Sequence, residues 1–206
     1  MSRSQRLFFR QEIVMELLGS TTSPFVRRIR IWADLNGLAL VFKNLDIFSE
    51  QDRQTMITHS PARKIPILID NGFSLSDSNS IIRYLLEKNN QPLLSWRQEN
   101  FLTIINACND SLVEMLLCQR SGFDTHTDTL FFNLQNERIA ETLAYLNNHL
   151  SEPVFKSCEY LNISLYCLLD WIRFRELTDF SQLENLVGFY HQFADKAAVQ
   201  QTDPRK

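Results

Sequence analysis

The chain has no Cys-x-x-Cys pair, no His-x-x-x-His pattern and no other spacing suited to a metal. Cys108, Cys118, Cys158 and Cys167 all fall in the second half. Three of them sit on apolar helix faces, where a thiol packs as a small hydrophobe. His59, His126, His149 and His191 are scattered, and no metal site is expected. A basic surplus is also missing. The net charge is -3 and the pI about 5.8, which argues against nucleic acid or an anionic membrane as the main partner. No apolar run approaches the roughly 20 residues of a bilayer-spanning helix. The opening Met1-Ser-Arg-Ser-Gln-Arg6 has the charge of a signal-peptide head, yet only Leu7, Phe8 and Phe9 follow before Arg10. A cytoplasmic protein is expected. There is no internal repeat and no low-complexity tract.

What is present suits one large globular domain or two small ones. The 206 residues are 44% hydrophobic and 22% charged, enough for a working core. The first half mixes strand and helix signals. Val14 to Gly19 predicts a short strand, followed by the polar turn Ser20-Thr-Thr-Ser23. Pro24 suits the first helical position with Ser23 as its N-cap. Phe25, Ile29, Trp32 and Ala33 share one face of that helix, with Arg27, Arg28 and Arg30 expected mostly elsewhere. Gly37 ends it. Leu38 to Leu45 predicts a second strand, Ser49 to His59 a helix, and Lys64 to Asp70 a third strand. Asn71-Gly72 is a hairpin signal leading to a strand from Phe73 to Leu75. Ser76-Asp77-Ser78 then caps a helix with the apolar stripe Ile81, Ile82, Leu85 and Leu86. The predicted order is βαβαββα.

Beyond Asn89-Asn90-Gln91-Pro92 every signal is helical. Leu102, Ile105, Leu112 and Leu116 mark a long helix. Ile139, Leu143, Leu146 and Leu150 mark a second, Leu161, Leu165, Leu168 and Ile172 a third, and Leu183, Leu186, Tyr190 and Ala194 a fourth. Residues 121–127 and Ser151-Glu152-Pro153 are read as connecting loops. The expected division is a first domain over 13–90 and an all-helical domain over 96–200, with a cut near 90–95.

Three local features of the first half bear on chemistry. Ser23 stands between a strand and a helix N-terminus, where unpaired N–H groups and the helix dipole favour an anion. A hydroxyl there can lower a thiol's pKa from its free value of about 8.5; it can equally serve only as the helix cap. Pro66 lies inside an apolar strand, where it cannot donate to the ladder. A cis Ile65–Pro66 bond would free the Ile65 backbone to pair with an extended ligand, whereas a trans edge proline would do nothing of the kind. Ser76-Asp77-Ser78 starts a helix, and such a start can hold a carboxylate while the Asp77 carboxylate takes an ammonium. A plain capping motif has the same sequence.

In order and spacing these features resemble the N-terminal domain of the glutathione transferases. The resemblance rests on Ser23-Pro-Phe-Val-Arg-Arg28, Pro61-Ala-Arg-Lys64-Ile65-Pro66-Ile67-Leu68 and Leu75-Ser-Asp77-Ser78-Asn-Ser-Ile81-Ile82-Arg-Tyr84-Leu85. It runs from residue 13 to about 200 and implies a thioredoxin-like α/β domain followed by a helical bundle. The likeness implies a cytosolic, bacterial-type enzyme of the serine type, joining glutathione to a small hydrophobic electrophile. Serine stands where thioredoxin-like proteins carry the nucleophilic cysteine, and Val26 stands at the second cysteine's place, so disulfide exchange is disfavoured.

By the same likeness Ser23 holds the glutathione sulfur as thiolate for attack on an electrophilic carbon. Ile65 pairs with the cysteinyl backbone beside cis-Pro66, Asp77 and Ser78 grip the γ-glutamyl end, and Lys64 either pairs with the glycyl carboxylate or is a solvated strand-end lysine. The electrophile would sit between the domains against the long helix that starts near Trp96. There Asn109 and Asp110 either face the cleft or lie on the exposed helix surface. A homodimer and no metal are implied.

Some residues depart from the family pattern. The helix-capping Ser/Thr-x-x-Asp of the second domain is matched to Asn162-Ile163-Ser164-Leu165, and Asp77 is shorter than the usual Glu. Residues 1–12 extend past the usual start and receive no function. Two other readings stand beside the transferase: a glutathione-dependent isomerase of the maleylacetoacetate type, whose usual Ser-Ser-Cys-like run is missing here, and a non-catalytic relative similar to the stringent-starvation proteins.

Overall fold

The computed structural model describes residues 15–206. Ile13 and Val14, which the expected first domain and first strand include, lie outside the described residues, as does the extension over 1–12. The element order of the first half is β1 (Met15–Gly19), α1 (Pro24–Leu35), β2 (Leu40–Asn44), α2 (Glu50–His59), β3 (Ile67–Asp70), β4 (Phe73–Ser76) and α3 (Ser78–Lys88). This is the predicted βαβαββα. The strands form one sheet in the order β2-β1-β3-β4. β1 and β2 run parallel, while β3 is antiparallel to both of its neighbours.

Alternation along β1 divides the core. Leu17 joins the large cluster with Val26, Ile29, Ile81 and Leu85, so α1 and α3 cover that face. Leu18 packs on the other side with Leu45, Met56 and Ile67, beneath α2. The Asn71-Gly72 turn has φ values of 51° and 78°, as a tight hairpin between twisted strands requires. Gly19 has a different reason to be glycine. A Cβ placed there would lie 2.4 Å from Val26 Cγ2, so the missing side chain lets α1 start close against the end of β1.

The second half is helical throughout: α4 (Trp96–Arg120), α5 (Leu130–His149), α6 (Pro153–Ser157), α7 (Glu159–Arg175), α8 (Glu184–Ala194) and α9 (Ala197–Gln201). The chain therefore combines a thioredoxin-like α/β domain with an all-α domain. The four long predicted helices are α4, α5, α7 and α8. The short α6 and α9 were not expected, since five residues are too few to display a period. α4 is long and apolar enough to cross a membrane by length and composition, its best window having a mean hydropathy of 1.4. Here it packs between α5 and α7, with Phe101, Leu102, Ile105 and Leu112 buried.

Three expectations need correction. Arg27 and Arg28 do not point away from the core; they are 4% and 0% exposed. α1 is covered on two sides, by the sheet and by α7, so its polar flank becomes an interdomain surface. Asn109 is buried rather than exposed or cleft-facing, because its carbonyl accepts from Arg28 at 2.8 Å. Asn162 does not cap a helix. It lies inside α7, which starts at Glu159, and donates to the Phe155 carbonyl at 2.6 Å, tying α6 to α7.

Candidate functional site

The strand register brings the predicted residues together. Lys43, Leu18, Ile67 and Ser76 stand in one row across the sheet. β1 and β2 finish just past this row, β3 begins at it, and β4 ends at it. The loops at this end are therefore 45–49, 20–23, 60–66 and the step from Ser76 into α3. Ser23, Ile65, Pro66, Asp77 and Ser78, which span more than a quarter of the chain in sequence, share one edge of the sheet.

Ser23 is the N-cap of α1, with extended backbone (φ -84°, ψ 125°), and its Oγ accepts from the Val26 N–H at 3.4 Å. Capping uses an oxygen lone pair. The hydroxyl proton remains available, so the cap and an anion-holding role are compatible. The turn before it is braced. Ser20 and Thr22 hydroxyls lie 3.1 Å apart, and the Thr21 N–H donates to Asn44 Oδ1 at 3.0 Å. Across the domain boundary the turn meets Cys167, Asp170 and Trp171 of α7, together with Pro204.

The Ile65–Pro66 peptide is cis. Pro66 is buried, Ile65 half-buried and Lys64 exposed. Among the described residues the Ile65 N–H and C=O have no intramolecular partner. Asp77 is the N-cap of α3. Its Oδ1 accepts from the Asn79 and Ser80 N–H groups at 2.9 and 3.1 Å. Its Oδ2 has no partner among the described residues, so one oxygen caps while the other is open to a cation. The Asp77 φ of 76° is sparsely populated by residues other than glycine, a conformation found at ligand clamps. Ser78 is buried, and its carbonyl accepts from Tyr160 at 3.3 Å.

The electrostatics join the second domain to this edge. Asp110 on α4 has its carboxyl pushed up, chiefly by desolvation; Lys64 and Arg28 pull it back and Asp77 pushes it further. Of the pair Asn109 and Asp110, it is Asp110 that lies in the field of Lys64 and Asp77. Burial raises the nearby Cys167 thiol to about 11, so it stays protonated near neutral pH.

Sequence reasoning missed what lies behind Ser23. Arg27, one turn into α1, pairs with Asp170 of α7, donates to the Val199 carbonyl at 3.0 Å and reaches Thr202 Oγ1 at 3.3 Å. Asp170 also accepts from Tyr190 at 2.8 Å and Arg205 at 3.1 Å. The only advance signal was an arginine on a helix otherwise destined for burial. Arg28 similarly donates to Asn106 and Asn109 of α4, and Asn106 donates to Asn79 of α3 at 3.2 Å. Among the described residues no three His, Cys, Asp or Glu side chains are grouped to hold a metal. A large groove of about 840 Å³ lies elsewhere, between α6, α7 and α8, lined by Phe155, Asn162, Phe189 and Phe193. It adjoins none of the residues at the sheet edge.

Residues 17–93 match the family model described as glutathione S-transferase, N-terminal domain. Glutathione S-transferase U7 of Arabidopsis thaliana is 34% identical over 89 residues, which are 43% of this chain and 35% of that protein. Glutathione S-transferase U8 of the same plant is 29% identical over 75 residues. The chain spans about a third of the length of these curated relatives. In three dimensions it is similar to a glutathione S-transferase from Methylobacillus flagellatus with glutathione bound. The TM-score is 0.81 at 23% identity, covering 92% of this chain and 99% of that one. A glutathione transferase family member from Pseudomonas fluorescens with bound glutathione gives 0.75 at 22% identity, covering 92% and 98%. At such identities the likeness establishes the fold.

Proposed function

We propose that this chain is a glutathione transferase whose Ser23 stabilises the glutathione thiolate. The observation that supports the reading is the single row Leu18–Ile67–Ser76: a hydroxyl at one helix N-terminus, an open backbone edge and a second, acid-capped helix N-terminus all follow from this one end of the sheet. A γ-glutamyl tripeptide has a matching set of groups. Its ammonium suits the open Asp77 Oδ2, its α-carboxylate suits the start of α3 at Ser78, and its cysteinyl amide and carbonyl suit Ile65. Lys64, exposed beside them, suits the glycyl carboxylate. The first unit of the proposed division is 13–90 and the helical unit 96–200, with the electrophile between them and a homodimer as the working assembly.

In the proposed reaction the bound thiol loses its proton to solvent. Ser23 donates to the sulfur and the N–H groups opening α1 add their dipole. The sulfur lone pair then forms the C–S bond. In a substitution the leaving group departs with its bonding pair; in an addition the displaced π pair collects a proton from water. No protein nucleophile is needed.

Chromatography on immobilised glutathione tests binding, and loss of free thiol with chlorodinitrobenzene tests turnover. Retention released by free glutathione, together with thiol loss above the uncatalysed rate, is expected. Absence of both rejects the reading. Retention without turnover keeps the glutathione site but rejects the conjugation, and it also counts against the stringent-starvation-like alternative, whose members lose that site. A single species of about 24 kDa, the monomer mass of 24.2 kDa, in micromolar sedimentation rejects the dimer.

A further inference from the structure

The face that α4 turns toward the first domain changes charge along its length. One stripe of α4 faces the first domain: Asn106 and Asn109 touch Arg28 there. At helical spacing the same stripe continues through Asp110, Val113 and Leu117 to Arg120. Its lower end, Asp110, lies in the field of Lys64 and Asp77. Its upper end, Arg120, lies over Phe48, with the guanidinium 6.0 Å from the ring centroid. Phe48 belongs to the loop after β2 at the sheet edge that also holds Ser23, and its side chain is largely exposed.

α7 supplies the opposing wall. Cys167 and Trp171 line the pocket at Thr21–Pro24, and the next residue along that face, four further on, is Arg175. The segment just past Arg175 comes back against α4, where Leu177 and Thr178 meet Leu116 and Gln119. The ends of α4 and α7 thus deliver Arg120 and Arg175 to one place. Burial and then the Arg120 charge lower the pKa of Arg175. Among the described residues neither guanidinium has a carboxylate partner or a hydrogen bond, and Arg175 Nε is shut away from solvent with nothing to donate to. Two like charges held together without an acid, beside aromatic and aliphatic side chains, make a site that gains by taking up an anion with an apolar body.

We propose that Arg120 and Arg175 form an anion-recognition pair at the mouth of the interdomain cleft, and that the electrophile carries a carboxylate on an aromatic body. The inference deepens the transferase reading and rests on it for the cleft as the electrophile's seat. Planar guanidinium forks can grip the carboxylate while the exposed Phe48 and Leu117 contact the ring, leaving the electrophilic carbon toward Ser23.

The test uses dinitrobenzoate and its neutral carboxamide as unreactive probes, titrated calorimetrically into the full chain with and without saturating glutathione. Their chloro derivatives are the reactive pair. With these, the C–S bond forms at the chlorine-bearing carbon, chloride leaves with the C–Cl pair and the thiol proton passes to solvent. The acid is expected to bind at least about tenfold more tightly than the amide, the scale of one charge-assisted hydrogen bond, with the preference shrinking as salt is added. Arg120→Gln and Arg175→Gln should each move the ratio toward one. The proposal is overturned if the unaltered protein binds both probes alike. It is also overturned if both variants keep the ratio, or if they weaken glutathione as much as the benzoate, since the arginines would then serve the glycyl carboxylate. Acid preference that persists without glutathione retention or conjugation would instead sink the transferase reading and leave the anion pair standing.

Discussion

Replacing Ser23 by Ala separates the two roles its hydroxyl can play. The cap role is small in this structure, because the Val26 N–H reaches Oγ only at 3.4 Å, the outer edge of a hydrogen bond. Its loss should cost about 0.5 kcal/mol, the low end for N-caps, and leave the fold intact. The thiolate role is larger. A hydrogen bond to a charged group contributes roughly 1.5–3 kcal/mol, so the pKa of bound glutathione should rise by about one to two units. Conjugation near neutral pH should slow by one to two powers of ten. The signs fix the profile. Both proteins lose rate as pH falls below the pKa of the bound thiol, and that inflection lies higher in the variant. The deficit is therefore greatest at low pH and shrinks as pH rises. Rate against pH at saturating glutathione, alongside the ultraviolet absorbance of the thiolate in the binary complex, measures this directly. An unmoved inflection in Ser23→Ala would refute the reasoning and leave the α1 N–H groups as the sole source of stabilisation.

Other outcomes follow from groups around the site. Asp77→Asn keeps a good N-cap and a residue that tolerates positive φ while deleting the charge, so the glutathione KM should rise about tenfold with kcat changed less; steady-state kinetics would show it. Asp170→Ala strands Arg27, which is 4% exposed, without a counter-ion, and should lower stability in urea by about 3–5 kcal/mol. Asp70 is desolvated, which alone would push its carboxyl up. Lys88 and Tyr84 together with Asn71 outweigh that, and its pKa lies below the ordinary carboxylate range. The native state thus holds its proton more weakly than the unfolded chain. This stabilisation is present above the unfolded pKa of about 3.9 and disappears as pH falls through the lower folded value. Asp70→Asn should flatten the acid limb of a stability-against-pH curve, and an unaltered limb would contradict the ion pair.

Much of this was legible in the sequence because the governing forces are local. Ser23 before Pro24, Asn71-Gly72, and Asp77 before an Ile-Ile-x-x-Leu-Leu stripe each encode a cap or turn within a few residues, and the elements lie where those signals put them. The same holds for Ile65–Pro66, which is cis as expected. What escaped was tertiary in origin. Arg27 and Arg28 fall outside the one apolar face that periodicity describes, and their burial follows because α1 has a second covered face. Asn109 and Asn162 read as surface or cap residues because their partners, Arg28 and the Phe155 carbonyl, are fixed only when helices from distant stretches meet. The helices α6 and α9 were too short to announce themselves. Pro153, within the expected loop Ser151-Glu152-Pro153, in fact opens α6, a start signal with no periodic stretch behind it.

The bond from Arg27 to Thr202 joins positions 175 residues apart, and this has a consequence for synthesis. On the ribosome the Ser23 turn and its helix emerge long before Asp170, Val199 and Thr202 exist. Until they arrive, the nascent first domain holds two arginines on a flank meant for burial, beside the uncovered apolar sides of α1 and α3. The domain can form its sheet early, but the rear of its Ser23 turn waits for the far end of the chain. Nascent chains halted before residue 198 should therefore be captured by hydrophobic-binding chaperones and cleaved by protease near α1. Chains released past residue 205 should resist both.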